Sequence, residues 1–349
     1  MPLETPSWWY GKRAGAAKLM PPLLAPLAAL YGRAAASRLA QSPTYRSRLP
    51  VICIGNFTSG GGGKTPTAIA VATLLKSMGK TPAFLTRGYG GSAKETVRVA
   101  GQDATEVGDE ALLLAEAAPT FISADRAAGA RAIEQTEADV IVMDDGFQNP
   151  GLAKDLSLIV ADAAAGLGNG QVIPAGPLRA PLASQMPLAN ALLVIGDGQK
   201  GDKLIEQFEA AGKPALRATI TPNCDARWLS VLPTIGFAGI ARPSKFFYTL
   251  QSNGARLISS YGFGDHHRFT EKEARRLLDE AEAKKAMLVT TEKDWARLTN
   301  EEDEENESAL AELKKRSRPF PIVIAFDDED AVNALLRNAL GAKNTAATS

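Results

Sequence analysis

Apolar residues in this chain fall into short unbroken runs: Val51–Ile54 (VICI), Thr81–Thr86 (TPAFLT), Asp139–Met143 (DVIVM), Leu156–Asp162 (LSLIVAD) and Ala191–Ile195 (ALLVI). Runs of this length, bounded by Gly, Pro or acidic residues, predict strands buried on both faces and hence a parallel sheet. Between them the apolar spacing turns helical. One helix opens at Lys64-Thr65 and continues through Ile69, Ala72 and Leu75. Another opens at Gly108-Asp-Glu110 and carries Leu112, Leu113, Leu114 and Ala117, and a third opens at Asp125-Arg126, after a short strand over Thr120–Ile122. Alternating strands and helices argue for an α/β fold.

The same alternation resumes near Thr234. Ile235–Ile240 and Arg256–Tyr261 read as strands around a helix over Ser244–Ser252. Thr270 then caps a helix Glu271–Lys285, with Glu273 at the capping-box position. Met287–Thr291 and Pro321–Phe326 are the last strands, with an acidic, solvated stretch over Asn300–Ser308 between them. The expected organisation is an N-terminal helical segment over 1–48 and a phosphate-loop domain over 49–230. A smaller α/β domain over 234–340 closes over the site, and 341–349 is a disordered tail.

The front of the chain breaks this pattern. Trp8, Trp9 and Tyr10 cluster ahead of Lys12 and Arg13. The run Leu19–Tyr31 is apolar for 13 residues, and Arg33, Arg38, Arg46 and Arg48 follow it. Spanning a bilayer takes about 20 apolar residues, so this run is too short to cross one. Interfacial aromatics, a short apolar helix and arginines suit a segment lying in one leaflet against anionic headgroups; the alternative is a helix packed on the domain's own core.

Composition narrows the classes. The 349 residues are 45% hydrophobic and 22% charged, enough for two domains with a sizeable core. Lysine plus arginine equals aspartate plus glutamate at 39 each, so no basic balance points to nucleic acid. Cys53 and Cys224 stand outside any metal or redox spacing, which suits a reducing setting.

The chemistry concentrates at strand ends. After Val51–Ile54 comes a glycine loop, Gly60-Gly61-Gly62-Gly63, and then Lys64-Thr65 at the start of a helix. Glycines let backbone N–H groups turn in around an anion, and the helix N-terminus adds its dipole. Lys64 can reach the β/γ-phosphates of ATP and Thr65 can ligate Mg²⁺. Thr58 departs from the plain G-x-x-x-x-G-K-[ST] pattern, and the loop is closer to K-G-G-x-G-K-T with Ser59 in place of the first lysine. The buried run Asp139–Met143 closes on Asp144-Asp145, the hard oxygen ligands that Mg²⁺ bridging ATP oxygens requires. Arg87-Gly-Tyr89-Gly90 follows a strand's carboxyl end, where ligands bind in open α/β sheets. Asp109 and Glu110 suit either the dipole of their own helix or a base aimed at the phosphate site. Gly166–Pro181 is long and irregular, and its Arg179 is the charge placed near a phosphate. The two histidines of the chain, His266 and His267, stand together after a strand end beside Asp265, which invites a catalytic reading; no cysteine or third histidine makes a zinc site.

Taken in order, SGGGGKTP at 59–66, RGYGG at 87–91, GDE at 108–110, DDGFQ at 144–148, PAGPLR at 174–179, FAGIARP at 237–243, FGDHHRF at 263–269 and TTEKD at 290–294 resemble the tetraacyldisaccharide 4′-kinase family, the lipid A 4′-kinases of Gram-negative bacteria. The likeness spans about residues 7–330. It implies a P-loop NTPase-like parallel sheet flanked by helices, a second smaller α/β domain and a membrane-associated N-terminal segment. It also implies transfer of the ATP γ-phosphoryl group to the 4′-hydroxyl of a lipid A disaccharide 1-phosphate, with Mg²⁺, by a monomer at the cytoplasmic face of the inner membrane. By the same resemblance Lys64 binds the phosphates, Thr65, Asp144 and Asp145 serve the metal, and Asp109 is the base paired with His266. Arg87, Tyr89, Gly90, Arg126, Asn149 and Arg179 fall to the substrate. Two positions depart from the family pattern: Ala180 stands where Glu is common after GPLR, and Asn149 where His is common after DDGFQ. A switch ATPase sharing the loop is the rival class, and Ser59 argues against it, because it replaces the lysine such switches use across a dimer.

Overall fold

The computed structural model describes residues 6–10, 19–60, 62–92, 95–265, 267–298 and 308–346. The predicted strands become β1 (Val51–Gly55), β2 (Pro82–Thr86), β4 (Thr120–Ile122), β5 (Val140–Asp144), β6 (Leu156–Asp162) and β7 (Ala191–Ile195), and two strands that the apolar runs do not mark, β3 (Val97–Arg98) and β8 (Ala215–Pro222), join them. A second unit carries β9 (Pro233–Ala238), β10 (Arg256–Gly262), β11 (Met287–Thr291) and β12 (Ser317–Phe320), and β13 (Ile322–Phe326) is the last strand. Helices run α1 (Met20–Leu39), α2 (Lys64–Ser77), α3 (Ala104–Val107), α4 (Asp109–Ala117), α5 (Arg126–Ile133), α6 (Leu182–Gln185), α7 (Gln199–Ala210), α8 (Pro243–Ser252), α9 (Glu271–Ala283), α10 (Glu292–Arg297), α11 (Ala309–Arg316) and α12 (Glu329–Ala346).

Nine strands form the main sheet in the order β13-β8-β7-β6-β1-β5-β2-β4-β3, parallel except at the two edges, where β3 and β13 run antiparallel to their neighbours. β1 lies between β5 and β6, with Ile52 opposite Val142 on one side and Leu156 on the other. Both faces of β1 are buried, as its apolar run requires. Ile52 and Ile54 pack with α2 and α12 through Ala68, Val71, Leu75, Val332 and Leu336, whereas Val51 and Cys53 join Ala130 of α5 and Leu204 and Phe208 of α7 on the other face. The carboxyl end of β1, where the chain leaves to either side, is the expected ligand crevice.

The second sheet, β10-β9-β11-β12, is parallel throughout. Helices α9 and α11 cover one face through Leu277, Leu278 and Leu313, and α8 covers the other through Phe246 and Leu250. The capping box at Thr270 and Glu273 starts α9.

Three expectations change. The stretch 321–340 does not belong to the second unit: β13 pairs with β8, Ile324 opposite Ile220, and α12 packs Val332, Leu336 and Ala339 into the main core. The reason is β8, whose outer edge would otherwise be open. The expected disordered tail begins inside a helix, since α12 runs to Ala346; 347–349 lie outside the described residues. The N-terminal helix is longer than its apolar run, 20 residues with Pro26 inside. Among the described residues, no helix is long and apolar enough to cross a membrane.

The aromatic cluster at the front packs on the protein. Trp9 Nε1 donates to the Pro174 carbonyl at 3.1 Å and the Tyr10 hydroxyl to the Ser59 carbonyl at 3.2 Å. Arg242 lies 4.8 Å over the Tyr10 ring. Helix α1 is two-faced: Ala28 and Gly32 are buried, Gly32 against Pro181 and Val172, while Leu19, Leu23, Leu27, Leu30 and Tyr31 are exposed.

Candidate active site

Gly63 ends the loop and caps α2 with φ +85°, a backbone region in which a Cβ is strained; a Cβ there would also stand 2.6 Å from Ile195 Cδ1. No side chain caps α2, so its first N–H groups face the loop interior. Gly60 also has a positive φ and Gly62 lies near Asn56 Nδ2, whereas Gly61 falls outside the described residues.

Thr65 at the start of α2 meets Asp144 at the end of β5. The Thr65 hydroxyl donates to Asp144 Oδ2 at 2.9 Å, and both side chains are buried. Burial, then the nearby Glu110 and Asp145 carboxylates, push the Asp144 carboxyl up to about 7. Its Oδ1 is buried without a hydrogen-bond partner. A buried carboxylate oxygen with no hydrogen-bond partner fits a divalent cation, the one test of such a group that these side chains offer. Among the described residues, no group of three or more His, Cys, Asp and Glu is placed to hold a metal ion.

Asp145 turns the other way. It is a non-glycine residue at φ +51°, a strained backbone that aims its carboxylate at two cations. Arg179 grips it with both ends of the guanidinium, at 2.7 and 3.0 Å, and Lys64 Nζ lies 3.7 Å away. Burial raises the Asp145 carboxyl, but Lys64 and Arg179 outweigh it and hold it at about 2. Arg179 also donates to Gln148 Oε1 at 3.1 Å.

Asp109 opens α4 and is 5% exposed. Two cations from α10 of the second unit reach it: Arg297 donates through Nε at 2.9 Å and through Nη2, and Lys293 Nζ lies 3.6 Å off, all at Oδ2. Lys293 also donates to Glu110 Oε1 at 2.9 Å. The expected partner, His266, lies outside the described residues, while its neighbour His267 contacts Glu273 at 3.0 Å and stacks on Phe263.

The remaining expected residues separate by exposure. Arg87, Tyr89 and Gly90 form an exposed loop after β2. Arg126 is buried at the start of α5, donating to the Ser123 carbonyl, and its Nε has no partner. Asn149 closes its own turn, its Oδ1 accepting from the Gly151 N–H at 2.9 Å. Ala180 is fully buried. Glu110, paired with Asp109 in the sequence reading, meets Lys293, whereas Gln148, Lys293 and Arg297 are not singled out from sequence. The signal for the last two was TTEKD at a strand end with an arginine one turn further on, facing an acidic pair that needs cations.

Fold and site together define a phosphate-loop phosphotransferase. The family model for tetraacyldisaccharide-1-P 4′-kinase matches residues 20–341, and the chain belongs to that family. It is 48% identical over 338 residues to the tetraacyldisaccharide 4′-kinase of Methylobacterium sp. (strain 4-46), covering 96% of both chains. To that of Nitrobacter winogradskyi it is 42% identical, covering 97% of this chain and 98% of the other. Its fold is that of the Aquifex aeolicus LpxK crystal structure in complex with ATP, with a TM-score of 0.69 at 24% identity, covering 92% of this chain and 99% of that one.

Proposed function

We propose that the protein transfers the γ-phosphoryl group of ATP to the 4′-hydroxyl of tetraacyldisaccharide 1-phosphate, giving lipid IVA. The observation that carries this reading is the meeting of three parts at one strand end: the loop with Lys64, the Thr65–Asp144 contact, and a buried Asp109 on the neighbouring helix. Family membership gives the acceptor class.

Mg²⁺ would be held by Thr65 and Asp144, and when bound it neutralises charge on the phosphate oxygens. Lys64 orients the β/γ-phosphates, and Asp145 holds Lys64 and Arg179 in place. Asp109, with His266 as its partner, takes the proton from the acceptor hydroxyl. Most of the catalysis is then positioning. Arg87, Tyr89 and Gly90 meet the disaccharide on the exposed side of the crevice, with Arg126 behind them. Asn149, engaged in its turn, shapes the floor of that side.

The acceptor's acyl chains stay in a bilayer, so the enzyme must work at its surface. The exposed leucines of α1 supply an apolar face for one leaflet, and the arginines after Tyr31 suit anionic headgroups at the cytoplasmic face of the inner membrane. One chain carries every group named here, and we take the working unit to be a monomer.

The test is transfer of label from γ-labelled ATP with Mg²⁺ in detergent, with and without the disaccharide 1-phosphate. Label entering the organic-extractable lipid only with acceptor supports the reading. Equal release of free phosphate in both tubes overturns it in favour of a switch ATPase.

A further inference from the structure

The second unit reaches the phosphate crevice through α10, and both basic residues that end there touch carboxylates of α4. Arg297 is the better seated. Its Nη1 donates to the Gly239 carbonyl and to Asp294 Oδ1, each at 2.7 Å, leaving Nε and Nη2 for Asp109. Asp294 is wholly buried and fixed in turn, accepting from the Gly239 N–H at 2.9 Å and the Thr291 hydroxyl at 2.7 Å. Arg297 is 8% exposed at its side chain, so its guanidinium has one place to be. Lys293 bridges the pair on α4, at Glu110 and Asp109.

We propose that Arg297, braced by Asp294, and Lys293 are positioning residues for the Asp109 carboxylate: they aim it and keep it ionised, and they do so from the other unit. The proposal rests on the reading of Asp109 as the base. A carboxylate this buried, left alone, takes up a proton, and a protonated carboxyl cannot accept one from a sugar hydroxyl. The positive end of the α4 dipole helps only in part. A guanidinium on Oδ2 keeps the charge and fixes the plane of the group. The same contact weakens the base, which phosphoryl transfer tolerates, because its loose transition state asks for orientation more than for proton affinity.

The groups facing the Asp109 carboxylate and its neighbours come from several elements. Arg297 and Lys293 belong to α10, Glu110 is beside it on α4, Lys64 of α2 faces Glu110, and Asp265 faces Lys293. Burial would raise the Glu110 carboxyl, but Lys293 and Lys64 outweigh it and hold it below its usual value. Opposed charges therefore alternate across the contact, and separating the units would strip Asp109 of both cations. The base is set when α10 docks on α4.

The experiment is lipid transfer at saturating Mg-ATP, across pH, for the wild type, Arg297→Gln, Arg297→Lys, Lys293→Gln and Asp109→Asn. Arg297→Gln should lower kcat roughly 10²-fold at neutral pH, as misplacing a catalytic group does, with little change in the acceptor KM. The loss should shrink toward alkaline pH, because without the cation a higher pH is needed to ionise Asp109. Arg297→Lys should restore part of the rate and move the acidic limb back. A loss that is the same at every pH, or no loss, overturns the proposal. If Arg297→Gln does not fold, Arg297→Lys and Lys293→Gln carry the same readout. An active Asp109→Asn would instead overturn the base reading itself. An inactive Asp109→Asn beside an unmoved acidic limb in Arg297→Gln rejects the positioning role alone.

Discussion

The Thr65 hydroxyl donates to Asp144 Oδ2 at 2.9 Å, joining the start of α2 to the end of β5 inside the phosphate crevice. That bond places the two groups proposed to hold a divalent ion on rigid elements, with Lys64 one residue away. Lys64→Ala should therefore abolish transfer, and because Lys64 is the foremost charge holding Asp145 low, some stability should go with it. A thermal melt beside the label-transfer assay checks this: transfer should fall to background while the variant still folds, at a lower melting temperature.

Asp109→Ala removes the proposed base, and turnover should fall by about 10²–10⁴-fold. The variant also takes the Asp109 carboxylate from Arg297 Nε and Nη2 at a buried contact, so some stability should go with it. A thermal melt run beside the transfer assay separates the two effects.

The Asp144 carboxyl, pushed up to about 7 by burial and by Glu110 and Asp145, makes a pH prediction. Its folded value exceeds the unfolded value of about 4, so between those two pH values the folded state binds the extra proton. Without Mg²⁺, stability from this group is greatest at the acid end and declines as pH rises to about 7. Mg²⁺ displaces that proton, so its stabilising effect should grow over the same window. Asp144→Asn should flatten both trends and abolish transfer, measured as melting temperature against pH with and without Mg-ATP.

Asp145 carries the opposite sign. Lys64 and Arg179 outweigh burial and hold it at about 2, below its unfolded value, so its contribution is present above about pH 4 and fades as pH falls toward 2. Arg179→Ala should bring acid unfolding to a higher pH and, by freeing Asp145 to pull on Lys64, lower turnover. Acid titration followed by circular dichroism reads the first effect.

Helix α1 shows its leucines outward, Leu23 at 72% and Leu27 at 55% exposure. Leu23→Glu with Leu27→Glu should move the protein from vesicles to the soluble fraction. Turnover on vesicle-embedded acceptor should drop far more than on detergent-dispersed acceptor. An unchanged distribution would mean that α1 does not seat the enzyme.

The strands around the site were legible because burial on both faces leaves no polar position to interrupt the run, as in VICIG and ALLVI. The glycine loop, Lys64-Thr65 and Asp144-Asp145 stand at strand ends in the sequence, and the fold brings them together through the Thr65–Asp144 and Lys64–Asp145 contacts. What failed to show was partnership. Ile322–Phe326 looks like any strand, and nothing local says that it pairs with a strand about 100 residues back rather than with its neighbour β12. Trp9 and Tyr10 are amphipathic, and a pattern alone does not tell a bilayer interface from the protein's own surface; their contacts with Pro174 and Ser59 decide for the protein. Arg297 was hidden because an arginine inside a short helix is ordinary until Asp294 and Asp109 are seen on either side of it.

The route by which the chain leaves and regains the main sheet has a mechanical meaning. It departs after Pro222 and comes back at Ile322, and these two residues lie opposite each other, with the Asn223 N–H donating to the Pro321 carbonyl at 2.9 Å. The second unit thus hangs from a paired ribbon rather than from a single flexible thread. A ribbon bends across its flat face and resists shear and twist, so two paired strands constrain how the second unit sits on the main sheet more than a single strand would. The contact of α10 with α4 inherits that constraint, and a break in either strand of the ribbon would loosen it without touching any residue of the site.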